Sequence, residues 1–254
     1  VAAESIDELL EKYFADEELT IEEIYEGLNI GVKERKIAPL FTGAANYGLG
    51  IMLLMNSIKN FLPPSVECKP EFECTDLKTG ETVIRKNDES DHFAAYVFKT
   101  ISDPYIGRLN IFRVLSGKLT KDKVIYNPER DTEEKVAHIY VIRGKEQIEV
   151  DELDAGDIGA LAKLQNTATQ DTLCSSVNPV QVSKIELPAS VYSRAIAPKA
   201  KGDDDKIAAA LVKLREEDPT IKVEINKETK QTILYGVGDQ QIDVLMNKLR
   251  NKYK

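Results

Sequence analysis

Residues 203–238, DDDKIAAALVKLREEDPTIKVEINKETKQTILYGVG, decide how the chain is read. Asp203, Asp204 and Asp205 stand where a helix would start, opposing the positive end of its dipole. Ile207, Leu211 and Leu214 follow at helical spacing and form one apolar stripe. Asp218-Pro219 ends the helix, because proline disfavours helical geometry in the residue before it. Ile221, Val223 and Ile225 then alternate with Lys222, Glu224 and Asn226, which predicts a half-buried strand. Residues 226–230 read as a polar turn, and Thr232 to Tyr235 as the returning strand.

On either side of this stretch the same unit continues. VYSRAIAP (191–198) reads as a strand in front of it. A last helix places Ile242, Leu245, Met246 and Leu249 on one face, with Lys248, Arg250, Lys252 and Lys254 suiting its C-terminus. The order is βαββα. A ferredoxin-like split βαβ needs one more strand, so the chain is expected to be a fragment whose third domain, residues 187–254, lacks its last strand.

Residues 93–186 change character. FAAYVFKTI, RLNIFRVLSG, KVIYNP, EKVAHIYVIRG and IGALAKL are short strand-type runs separated by turns, the spacing of a barrel or sandwich. Gly107, Gly117, Gly144 and Gly156 punctuate them at turns that call for positive φ. Residues 66–91 in front read as a linker or an edge hairpin with a turn at Lys78-Thr79-Gly80, and the barrel domain is set at 66–186.

The first block, residues 1–65, is predicted mostly helical. Ser5 with Glu8, and Thr20 with Glu23, match the capping-box pattern. KIAPLFTGAA (36–45) reads as a short buried strand entering a small-residue loop. Residues 48–62 read as a helix stopped by Pro63-Pro64, with Met52, Leu53, Leu54 and Met55 in the core.

Composition sets outer bounds. At 254 residues, 42% hydrophobic and 30% charged, the chain is long enough for several domains and a sizeable core. No apolar run approaches the roughly 20 residues of a membrane span. Cys68, Cys74 and Cys174 suit a reducing cytoplasm and make no zinc pattern. A net charge of −9 argues against indiscriminate nucleic-acid binding and leaves RNA contacts to local basic patches. His92 and His138 read as structural, since no motif supplies either with a catalytic partner.

FAAYVFKTISDPYIGRLNIFRVLSGKL (93–119) and ELDAGDIGALAKLQNTATQDTL (152–173) resemble the second domain of translational GTPases, elongation factor G in particular. KGDDDKIAAALVKLREEDPT and YGVGDQQIDVLMNKL are similar to that factor's third domain. VAAESIDELLEKYF and PLFTGAANYGLGIMLLMNSIKNFLPPS resemble the end of its GTPase domain. The family usually has glycine where Gln170 stands and histidine where Gln241 stands, departures that point to a paralogue of the housekeeping factor.

The resemblance implies a multidomain chain: an α/β remnant of the GTPase domain, an all-β barrel of translation-factor type and an α+β ferredoxin-like domain. It implies that Gly43, Ala44 and Ala45 are what remains of the guanine-contacting loop, with Ala44 in place of the usual serine. It makes Arg108, Arg113 and Lys118 of the barrel candidate contacts to ribosomal RNA. Lys199, Lys201 and Lys206 could meet RNA too, or balance the neighbouring aspartates.

Partners implied are ribosomal RNA and ribosomal proteins, for a cytoplasmic monomer bound to neither DNA nor membrane. GTP with magnesium belongs to the parent protein. The sequence has no GxxxxGK[ST] loop, so the chain itself is expected not to hydrolyse GTP. The expected role is coupling of GTP hydrolysis to translocation or a related ribosomal movement. A ribosomal-protection protein of the tetracycline-resistance type and a stand-alone interaction module are the alternatives.

Overall fold

In a computed structural model the described residues are 1–103, 107–198 and 202–252. They fall into two compact units, Val1–Pro70 and Glu71–Lys254. No helix among them is long and apolar enough to cross a membrane.

The first unit holds helices α1 (Asp7–Phe14), α2 (Ile21–Lys33), α3 (Ile51–Phe61) and α4 (Ser65–Cys68). Thr20 and Glu23 close a complete capping box at α2: the Thr20 amide donates to Glu23 Oε2 at 2.8 Å and the Glu23 amide to Thr20 Oγ1 at 3.3 Å. The expected box at Ser5 and Glu8 does not form. Ser5 ends a short 3-10 turn, and α1 starts one residue later, with Ile6 as its N-cap.

Two further expectations fail in this unit. Residues 36–45 form no strand beyond a single bridge between Ala44 and Leu49, and Leu40 is 91% exposed. A strand needs a neighbour to receive its amides and carbonyls, and the unit holds no other strand. Met52, Leu53, Leu54 and Met55 are likewise not core, since all four lie exposed on α3. The buried residue of that helix is Ser57, whose hydroxyl donates to the Leu53 carbonyl at 2.7 Å.

The second unit opens with a hairpin, β1 (Glu71–Asp76) and β2 (Thr82–Lys86), turned at Gly80 with φ +76°. The strands that follow are β3 (Ala94–Asp103), β4 (Gly107–Ser116), β5 (Lys118–Thr120), β6 (Val124–Asn127), β7 (Thr132–Lys135) and β8 (Ile139–Arg143). After them come β9 (Glu146–Val150), β10 (Glu152–Asp154), β11 (Ile158–Ala162), β12 (Thr172–Cys174) and β13 (Val180–Gln181).

Eight of these strands make one antiparallel sheet in the order β7-β6-β12-β3-β4-β11-β8-β9, and β5 pairs with β10 beside it. The sheet forms a barrel around one core, in which Val97, Phe112, Val114, Leu119, Ile139 and Leu173 are all fully buried. Alternation along β4 explains this: Phe112, Val114 and Ser116 point in while Ile111, Arg113 and Leu115 are only partly covered. The 66–91 segment is resolved as a hairpin that joins β13 in a three-stranded sheet. Arg85 of β2, 7% exposed, donates through Nη2 to Asp91 Oδ1 at 2.6 Å and to the His92 carbonyl at 3.0 Å.

Then come β14 (Tyr192–Ile196), α5 (Asp204–Glu217), β15 (Lys222–Ile225), β16 (Thr232–Gly236) and α6 (Asp239–Lys252). The sheet order is β14-β16-β15, a ferredoxin-like arrangement of the expected βαββα chain. Leu211 and Leu214 of α5 pack with Ile242 and Leu245 of α6, Ile221 and Leu234. Asp218 breaks α5 with an extended backbone, φ −141°, as the proline after it requires. Asn226 Oδ1 accepts the Glu228 and Thr229 amides and shapes the hairpin turn. Ile225 departs from the predicted alternation, being 68% exposed.

Candidate nucleic-acid interface

The three basic residues singled out in the barrel occupy three different settings. Arg108 is the second residue of β4 and turns to the third domain: its guanidinium donates to Glu216 of α5 and, through Nη1, to the Gln165 carbonyl at 3.0 Å. Arg113 lies five residues along the same strand, so the pleat puts it on the opposite face, between Tyr96 and Ile158 of the neighbouring strands. Lys118 sits on the β5–β10 ribbon. Its ammonium meets Asp154 at 2.9 Å and Glu152 at 3.3 Å, and the pair of carboxylates raises its pKa. The three do not form a single patch.

Of the third-domain lysines, Lys206 pairs with Asp203 at 3.3 Å, the charge-balancing arrangement. Lys199 and Lys201 lie outside the described residues. His138 contacts Glu149 at 2.9 Å through Nδ1, and His92 serves through its backbone carbonyl, which accepts from Arg85 and Ser116.

The loop around Gly43, Ala44 and Ala45 is tight. The Ala44 amide donates to the Leu49 carbonyl at 3.0 Å, and the Leu49 amide returns to the Ala44 carbonyl at 3.2 Å. A Cβ on Gly43 would come within 2.8 Å of the Leu49 carbonyl oxygen, so glycine is required there. The Ala44 amide is already taken inside the loop, and no phosphate-cradling loop exists in the sequence.

What joins the barrel to the third domain is a cluster that sequence reasoning passed over. Glu217, at the end of α5 and 6% exposed, receives the Ser102 amide at 3.1 Å, Lys252 at 2.8 Å and Lys248 at 3.1 Å on its carboxylate. Its own carbonyl accepts from Lys99 of β3 at 3.0 Å. Burial pushes the Glu217 carboxyl up, but the two ammonium groups and the Ser102 amide outweigh it and hold its pKa below the ordinary carboxylate value. The signal was present: two glutamates and an aspartate close a helix whose C-terminus disfavours negative charge, so tertiary partners had to answer them.

Two other supports follow from the departures noted in the sequence. Gln170 occupies a left-handed backbone position, φ +73°, where the glycine usual in the family would be unstrained. Beside it, Asp171 is 1% exposed and accepts from Asn127 at 3.0 Å, Arg130 at 3.1 Å and the Ala168 amide at 2.9 Å, tying the 165–170 loop to the barrel. Gln241 donates to Asp218 at 2.8 Å and to Thr220 at 2.7 Å, and accepts the Val237 amide at 2.6 Å. Its amide spans donors and acceptors on both sides, holding the start of α6 to the turn after α5.

Comparison with known proteins agrees with this architecture. Residues 92–176 match the family described as "Elongation factor G domain 2", and residues 187–254 match "Elongation Factor G, domain III". Elongation factor G from two strains of Dehalococcoides mccartyi is 37% identical over 252 residues, covering 99% of this chain and 36% of each relative. A crystal structure of a protein from Thermus thermophilus superposes with a TM-score of 0.76 at 26% identity, over 98% of this chain and 35% of that one. The chain therefore spans about a third of the length of the relatives it matches.

Proposed function

The chain belongs to the elongation factor G family, and on that premise we propose that it works on the ribosome in translation elongation. In this reading the barrel and third domain dock on ribosomal RNA and ribosomal proteins. They transmit to the ribosome a movement driven by GTP hydrolysis, with GTP and magnesium belonging to the whole protein. The setting is the cytoplasm, and the working form is a monomer. The observation that carries the reading is the joint between the two domains. Glu217 and Glu216 receive Ser102, Lys99 and Arg108 of the barrel side, so a force on one domain reaches the other through ionic and backbone contacts.

Arg113 and Lys118 supply the RNA contacts of the barrel in this proposal, while Arg108 acts mainly on the joint. Co-sedimentation of the chain with ribosomes tests it. The chain should pellet at low salt and be released as salt rises, because phosphate contacts exchange with counterions. Arg113→Glu should weaken binding and flatten the salt dependence. A folded chain that stays in the supernatant at every salt concentration would sink the docking role of these domains.

A further inference from the structure

A cleft of about 720 Å³ opens where the barrel meets the third domain. Its wall carries Arg108, Arg130, Arg215 and Lys222 against one carboxylate, Glu216, in a chain whose net charge is −9. Positive charge is thus gathered against the average of the surface, which is the condition for a local anion site.

The four cations divide into two kinds. Arg108 and Arg130 are anchored, by Glu216 and by the buried Asp171, and so hold fixed positions on the wall. Arg215 and Lys222 are exposed, and neither makes an ion pair or side-chain hydrogen bond among the described residues. Glu134, which does not line the cleft, is turned to the 165–167 loop: it accepts the Asn166 amide at 3.2 Å, the Thr167 hydroxyl at 2.8 Å and the Gln165 amide.

No aromatic side chain lines the cleft, so it offers no ring platform for a run of stacked bases. The polar lining is mostly arginine, lysine, threonine and side-chain amides, groups that suit phosphate oxygens. We propose that this cleft binds the phosphodiester backbone of ribosomal RNA, with Arg215 and Lys222 reaching the phosphates and Arg108 and Arg130 lining the floor. The proposal rests on the ribosomal reading above, and it adds a second RNA contact at the domain joint, distinct from Arg113 and Lys118.

The experiment measures binding of the chain to a labelled RNA hairpin across a salt series, beside pelleting with ribosomes. It compares the wild type with Arg215→Ala/Lys222→Ala, and with Lys145→Ala/Lys227→Ala, which removes the same charge outside the cleft. The cleft variant should bind the hairpin more weakly, with the slope of log affinity against log salt reduced by about 1.5, while the control keeps its slope. Equal slopes in the cleft variant and the wild type would overturn the cleft, and continued pelleting with ribosomes would leave the ribosomal reading intact. Slope loss on the hairpin without any pelleting would support the cleft and sink the ribosomal reading. Failure of the wild type to bind either partner would overturn both.

Discussion

Helix α3 is richer in large apolar residues than strand β4, yet Phe112 and Val114 are fully buried while Met52, Leu53 and Met55 stand more than half exposed. Both elements form where their local signals say. Gly50 at φ +77° and Pro63 bracket the helix, and alternation sets the strand. The difference is in what lies beside them. Ladder bonds to β3 and β11 hold β4 next to other apolar faces, so its inward side chains meet partners. Helix α3 satisfies its hydrogen bonds internally and carries its apolar face wherever the surrounding chain allows. Local pattern selects the element, and burial is decided by its neighbours.

The largest effect that probes this contrast is core truncation. Phe112→Ala should cost about 3–5 kcal/mol in chemical denaturation of the chain. Leu53→Ala should stay within about 0.5 kcal/mol. A comparable loss at Leu53 would mean that the α3 face is covered in solution, and the contrast would break.

The acid limb of the stability curve sharpens the comparison at the domain joint. Glu217 has a folded pKa held below its ordinary value near 4.5, so its stabilisation is present above that value and is lost as pH falls through the folded pKa. Glu217→Gln should therefore be less stable than the wild type at neutral pH, and the gap should close on acidification below about 4.5. Thermal unfolding at a series of pH values reads this directly. A gap that is constant with pH would assign the loss to packing rather than to the ionised carboxylate.

The smallest expected effect has the opposite sign. Gln170→Gly relieves a left-handed backbone position at φ +73° but gives the unfolded chain more freedom. The net gain should be about 0.5 kcal/mol, visible as a raised denaturation midpoint with an unchanged slope. A loss instead would show that the Gln170 side chain, 3.4 Å from the Tyr96 hydroxyl, stabilises more than its backbone strain costs.

Much of the second unit was legible because its signals are periodic and local. The βαββα order, the Asp218-Pro219 stop, the Asn226 turn and the positive-φ glycines at 107, 117, 144 and 156 all follow from residues within a few positions of one another. The 36–45 segment was misread for the complementary reason. Its composition suits a strand, but a strand exists only when another lies beside it. Ser5 and Glu8 have the spacing of a capping box, and a one-residue change in where α1 begins is enough to undo it. The candidate site was legible by residue type alone. That Arg108 is basic is plain in the sequence; that it points at Glu216 depends on a contact 108 residues away along the chain.

By itself the sequence determined the element types and order of the second unit, the helices of the first, the two recognisable domains and the absence of a phosphate-binding loop, because these rest on covalent neighbours and short-range periodicity. Only the tertiary structure decided which apolar faces are buried, that Glu217 links barrel and third domain, and that Arg215 and Lys222 share a cleft with Arg108 and Arg130. Those outcomes depend on segments far apart in the chain meeting in space, where burial and opposite charge select among partners that local sequence leaves undetermined.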